Sequence, residues 1–135
     1  MHKAAYQLIL SEGAQADLRE CKAKDAYAAA VISQYLRELD NDIGACALLV
    51  DEHYSDDDIG SVEPLWSLQK EKMNAYRVRF ILLGRWRVIT AGDHRRRRVG
   101  ILAIMERDAN YQSDKELWKR IEKEYDELDF PRLGV

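Results

Sequence analysis

From Tyr76 onward the apolar residues recur at every second position, a period that suits an extended chain with one buried face. Tyr76, Val78 and Phe80 fall on one face, and Arg77 and Arg79 on the other. Gly84 then turns the chain into Trp86-Arg87-Val88-Ile89. Gly92-Asp93-His94 turns it again into Val99 to Met105, a nearly continuous apolar run of the kind a central strand carries. Strands near 75–82, 86–91 and 97–106 therefore form an antiparallel meander. The same stretch holds most of the positive charge. Residues 70–107 carry eleven Lys/Arg against three Asp/Glu, whereas residues 1–69 carry five against thirteen. The net charge of −3 conceals this polarity.

The flanking segments change period. Ala4 to Leu10 is a short apolar run that ends at the Ser11-Glu12-Gly13 breaker, and its length predicts a first strand. Ser11 can cap a helix over 12–24 with Leu18 and Cys21 on one face. Asp25 can cap a second helix that runs to about Leu39. Tyr27, Ala30, Val31, Gln34, Tyr35 and Leu39 keep the spacing of three and four that a core-facing stripe requires, so the two helices make a hairpin. Residues 40–63 are harder to read. An apolar island, Ala45 to Val50, precedes a run of acids, and we expect a short helix or extended piece followed by a loop. Near the C-terminus, Ser113 and Glu116 form a capping box for a last helix over about 113–128. Leu117, Ile121, Tyr125 and Leu128 share one of its faces, and Pro131 follows it. The expected fold is α/β (α+β), one domain over 1–135, with an antiparallel-dominated four-stranded sheet, an N-terminal helical hairpin and a C-terminal helix.

Several function classes are excluded. At 135 residues and 47% hydrophobic content, the chain is long enough for one real core. Cys21 and Cys46 stand far apart, without a CxxC pair or a nearby histidine cluster, so neither a disulfide framework nor a zinc site is expected. The N-terminus MHKAAYQLILSEG lacks the apolar run and cleavage site of a signal peptide. Val99 to Met105 falls far short of the ~20 residues that span a bilayer, and a soluble, cytoplasmic protein without membrane contact is expected. Asp51, Glu52, His53, Asp56, Asp57 and Asp58 invite a metal reading, and the calcium loop is the pattern to test. Gly60 is displaced from its place in such a loop, and Ser67 stands where a bidentate Glu is needed. An acidic loop that repels RNA or neutralises the basic face is more economical. His2, His53 and His94 are scattered, and there is no nucleophile elbow or Gly-rich phosphate loop. No metal and no cofactor are expected.

The arginines of the meander remain. Gathering Arg77, Arg79, Arg87 and Arg107 on one sheet region is electrostatically unfavourable unless an anion is bound there, and a planar guanidinium suits phosphate oxygens. The plainer reading gives them salt bridges to the acidic half, or a solvent-facing role. Tyr111 can stack on a base or take part in proton transfer, although core or surface filling is the commoner use of such a residue. Arg95 to Arg98, at a turn and strand entry, read as a solvated face that can also steer nucleic acid.

The order of strand, helical hairpin and three-stranded meander resembles the RelE/ParE superfamily of bacterial type II toxins. LILSEGAQADL (residues 8–18) is similar to that family's first strand and helix entry. PLWSL with AYRVRF and GRWRVI is similar to its second and third strands, and GILAIMERDANY to its last strand and closing motif. The resemblance covers about three quarters of the chain. It implies a toxin whose partner is a cognate antitoxin. For the ribosome-dependent endoribonucleases (mRNA interferases) of the superfamily, it implies metal-free cutting of mRNA on the ribosome by attack of a ribose 2′-hydroxyl on the adjacent phosphate. Arg87, Arg107 and Tyr111 match the catalytic positions, and Arg77 and Arg79 the substrate-binding pair. This pair is often lysine in the family, Thr90 stands where many members have tyrosine, and residues 44–63 are an insertion. Two alternatives stay open: a ParE-type toxin that inhibits DNA gyrase by binding, and a degenerate, non-toxic member that only binds an antitoxin.

Overall fold

The computed structural model describes residues 5–41, 44–106 and 115–133. Arg107, Tyr111 and Ser113 lie outside the described residues. The chain is a mixed α+β structure. Strand β1 (Gln7–Leu10) leads into helices α1 (Glu12–Lys24) and α2 (Ala26–Asn41) and a 3-10 turn (Ala45–Val50). Strand β2 (Ile59–Pro64) and the short helix α3 (Trp66–Gln69) come next. The strands β3 (Ala75–Phe80), β4 (Trp86–Asp93) and β5 (Arg98–Glu106) and helix α4 (Lys115–Glu127) complete the described chain. The sheet order is β1-β5-β4-β3-β2. β1 runs parallel to β5, with Gln7 beside Arg98 and Leu10 beside Ile101, and the remaining pairs are antiparallel.

The sheet thus has five strands where four were expected. The additional strand, β2, comes from the acidic segment read as a loop. Only Ile59 and Val62 of β2 are apolar and buried, and a bulge at Gly60 breaks their alternation, so the period-two signal is lost. Pro64 ends the strand at the sheet edge, where a residue without an N–H is tolerated.

Both helix starts follow the capping logic. The Ser11 hydroxyl accepts the Ala14 N–H at 3.0 Å, and the Asp25 carboxylate accepts the Ala28 N–H at 3.0 Å. The buried stripe of α2 overlaps the expected one only in part, since Val31, Tyr35 and Leu39 pack against the core but are not its most buried positions. Ala28, Ala29, Ile32 and Leu36 face the core, while Tyr27, Ala30 and Gln34 are exposed. Both stripes have helical spacing, and the alanines of Ala28-Ala29-Ala30 look alike in sequence. Which of the three is buried is decided by packing against the rest of the core.

Helix layers cover both sheet faces. On one, Val62, Tyr76, Val78, Phe80, Val88, Ile101 and Ile104 pack with α1, α2 and the 3-10 turn. On the other, Ala75, Ile89, Ala91, Ala103 and Met105 pack with Ile121 and Tyr125 of α4, with Leu117 and Leu128 at the margin. This double cover explains why β4 is buried at all eight positions, including Arg87, Thr90 and Asp93. The Thr90 hydroxyl, for example, donates to the Leu49 carbonyl at 2.8 Å. Cys21 and Cys46 are free and buried, and burial pushes the Cys21 thiol up to about 11.

A polar knot joins the two layers. Arg120 of α4 grips Asp17 of α1 through Nη1 and Nη2 at 2.9 and 2.8 Å and donates to the Leu102 carbonyl at 3.0 Å. Asp17 also accepts the Ile104 N–H at 3.0 Å, and Glu124 takes the Gly13 N–H at the start of α1. A Cβ on Gly13 would stand 2.5 Å from the Glu124 carboxylate, so a larger residue there would have to displace the Glu124 and Arg120 side chains. Arg120→Ala would leave two partly buried carboxylates without their shared cation, at a cost of about 3–5 kcal/mol. Lys123→Ala, which removes an exposed pair with Glu127, is expected to change stability by about 0.5 kcal/mol or less. Urea denaturation of both variants measures the contrast.

Candidate functional site

The alternation of β3 and the register of β3 on β4 put Arg77, Arg79 and Arg87 on one sheet face, that of Ala75, Ile89 and Ala91. Arg77 pairs directly with Ile89, and the ladder runs to Val78 beside Val88. One further step in the same register brings Arg79 towards Arg87. The structure thus gathers these three sequence-selected residues.

Their surroundings differ. Arg87 is only 6% exposed, and its Nη1 donates to the carbonyls of Gly84 and Trp86 at 2.6 and 2.9 Å, so it braces the turn into β4. Arg77 donates from Nη2 to Glu63 on β2 at 2.6 Å. Arg79 is half-buried and lies across the bulge, where a Cβ on Gly60 would meet its guanidinium at 2.4 Å. Among the described residues Arg79 forms no ion pair or side-chain hydrogen bond. It is a positioned guanidinium with its donors available, which a phosphate oxygen can use.

The basic run at 95–98 divides in two. Arg95 and Arg97 are exposed, in keeping with a solvated face. Arg98 departs from that expectation. Its side chain is 15% exposed, bonds Asp93 at 2.9 Å and the Leu128 and Asp129 carbonyls at 2.7 and 2.8 Å, and stacks over Phe130 at 4.6 Å. Arg96 pairs with Asp129 at 2.7 Å. Burial alone would raise the Asp93 pKa, but the Arg96 N–H and the Arg98 guanidinium outweigh it and hold the carboxyl below its ordinary value. Apart from Asp93, its partners lie on the segment after α4, so sequence spacing could not reveal the full role.

The acidic segment closes on itself. Asp56 accepts the N–H groups of Asp58 and Ile59 at 2.8 and 2.7 Å and the Tyr54 hydroxyl at 2.8 Å. Asp58 accepts the Tyr35 hydroxyl at 3.2 Å, and Tyr35 stacks on Phe80 at 4.8 Å. These contacts tie the loop to α2. Among the described residues, no group of three His, Cys, Asp or Glu side chains could hold a metal ion, and no helix is long and apolar enough to cross a membrane.

Sequence reasoning did not single out Trp66. It is 68% exposed at the start of α3 and lines a cleft of about 600 Å3 with Glu52, His53, Glu63 and Arg77. An available signal was a tryptophan two residues after Pro64, in the short apolar stretch Leu65-Trp66-Ser67-Leu68.

Arg98→Ala is expected to lower stability clearly, by loss of a buried pair, while Arg95→Ala and Arg97→Ala stay within about 0.5 kcal/mol. Because the folded Asp93 pKa is depressed, its contribution is present above the unfolded value of about 3.9 and is lost as pH falls through the folded one. Urea midpoints measured from pH 7 to pH 3 should therefore fall at the acid end, and Asp93→Asn should remove part of that dependence.

Compared with models of protein families and with curated protein sequences, the chain matches none.

Proposed function

We propose that this chain is the toxin of a type II toxin–antitoxin pair and acts as a metal-independent, ribosome-dependent mRNA endonuclease. The observation that carries the reading is the set of guanidinium groups on one face of β3 and β4, with the donors of Arg79 available beside Arg77 and Arg87. The order of strand, two helices and antiparallel meander agrees with the resemblance to the RelE/ParE superfamily. In the proposed reaction a ribose 2′-oxygen forms a bond to the adjacent phosphorus, the bond to the 5′-oxygen breaks, and a cyclic phosphate and a free 5′-hydroxyl result. Arg79 holds a phosphate oxygen and stabilises the added charge together with Arg107, while Arg87 braces the turn into β4. An arginine is permanently charged and does not act as the base, so Tyr111 carries the proton-transfer role or stacks on a base.

A gyrase-binding toxin is the second reading. The burial of Arg87 and the ion pair of Arg77 favour it, since both guanidinium groups already have protein partners. In a third reading the chain only binds an antitoxin.

Induced expression should arrest bacterial growth and yield ribosome-bound mRNA cut within codons. Arg79→Ala and Arg107→Ala should each slow cutting by ~100–1000-fold without loss of fold. Trapped gyrase–DNA breaks with intact mRNA would select the second reading. Parental cutting rates in both variants would remove the phosphate site from β3, and unaffected growth at high soluble expression would select the third.

A further inference from the structure

We propose that the cleft at the sheet edge is a subsite for one unpaired nucleobase of single-stranded RNA, stacked on Trp66 and read through an N–H-bearing edge by Glu52, with guanine preferred. The proposal rests on the RNA-directed reading above and adds a site to it. Trp66 occupies a rigid position. The backbone N–H of Leu65 and the side-chain amide of Gln69 both bond the Ala75 carbonyl, at 3.1 and 2.9 Å, and Leu65 and Leu68 are buried beneath the sheet. The indole therefore stands in solvent on an anchored turn, where a stacking partner gains contact with little loss of conformational freedom.

Charge decides which part of a nucleotide enters. Glu52 and Glu63 both line the cleft; Glu63 holds Arg77, and Glu52 Oε1 lies 3.1 Å from His53 Nε2, which leaves Oε2 and a second lone pair on Oε1 to accept from a base. Two carboxylates repel a phosphate but accept N–H groups, and the Watson–Crick edge of guanine offers adjacent N1–H and N2–H donors that one carboxylate can take together. Uracil offers a single N–H flanked by two carbonyls. The phosphate belongs instead at Arg79, two residues along β3 from Arg77 and so roughly 7 Å away, the scale of one nucleotide.

The test is titration of the full chain with the RNA pentamers UUGUU and UUUUU, read by tryptophan fluorescence and, independently, by anisotropy of labelled RNA. UUGUU should quench the emission and bind at least about fivefold more tightly than UUUUU. Trp66→Ala, at an exposed position, should weaken UUGUU binding by roughly tenfold with an unchanged salt slope. Glu52→Ala should abolish the preference for guanine, and Arg79→Ala should reduce the salt slope while the quench at saturation remains. Equal RNA affinity of the parental chain and Trp66→Ala would overturn the subsite and leave RNA binding intact. Absence of RNA binding by the parental chain would overturn the subsite, whereas the ribosome-dependent reading falls only if ribosome-bound mRNA stays intact on induced expression. Quenching by an arginine-rich peptide and not by RNA would reassign the cleft to a cationic protein segment.

Discussion

The structure depends on how one strand edge is closed. β5 is nine residues long, and its parallel neighbour β1 is only four, so β5 outruns its partner from Leu102 onward. An uncovered edge presents a row of open N–H and C=O groups. The side chains of Ser11, Asp17 and Arg120 close it, taking the Leu102 carbonyl and the Ile104 N–H. Because Asp17 belongs to α1 and Arg120 to α4, the same contacts fasten the helix layers on opposite sheet faces. Glu124 adds a carboxylate at the positive end of α1, where the helix dipole favours it. The short first strand thus creates the vacancy that the ion cluster fills.

The second constraint is the cost of burying arginines. Arg87 and Arg98 lie on or next to the most deeply packed strands, and each directs its guanidinium to backbone carbonyls or to a buried carboxylate. Desolvating a guanidinium is tolerated only with such partners. Much of the positive charge that gives residues 70–107 their polarity is accordingly part of the scaffold. Arg79 differs because the bulge at Gly60 leaves room for its guanidinium without supplying an acceptor. Among the described residues, a locally irregular edge strand therefore sets Arg79 apart from the cations that hold the fold.

The cleft at Trp66 follows from the same edge. β2 stops at Pro64, and the chain spends one helical turn before it re-enters the sheet at Ala75. The turn buries Leu65 and Leu68 beneath the sheet and leaves the indole outside, close to Glu52 and Arg77. A buried anchor and an exposed aromatic thus lie within four residues of one another.

The sequence by itself determined the local structure. The period of two from Tyr76 and the glycine turns specify the meander, Ser11 and Asp25 specify the helix starts, and the face of Leu117, Ile121 and Tyr125 specifies the last helix. Alternation also put Arg77 and Arg79 on one face, because side chains i and i+2 of a strand must share one. β2 was not legible, since two apolar residues separated by a bulge and preceded by acids carry too little periodicity. The core stripe of α2 was legible in part: Val31, Tyr35 and Leu39 do pack against the core, but several alanines at helical spacing are equivalent in sequence and only packing decides which are buried. Tertiary structure alone decided the individual roles of the arginines. Whether a guanidinium braces a turn, pairs with a carboxylate or keeps its donors available depends on partners distant in sequence: Glu63 for Arg77, Gly60 for Arg79, Leu128 and Asp129 for Arg98. Spacing along one segment contains no information about which distant carbonyl will lie within 3 Å, and only the packed sheet supplies it.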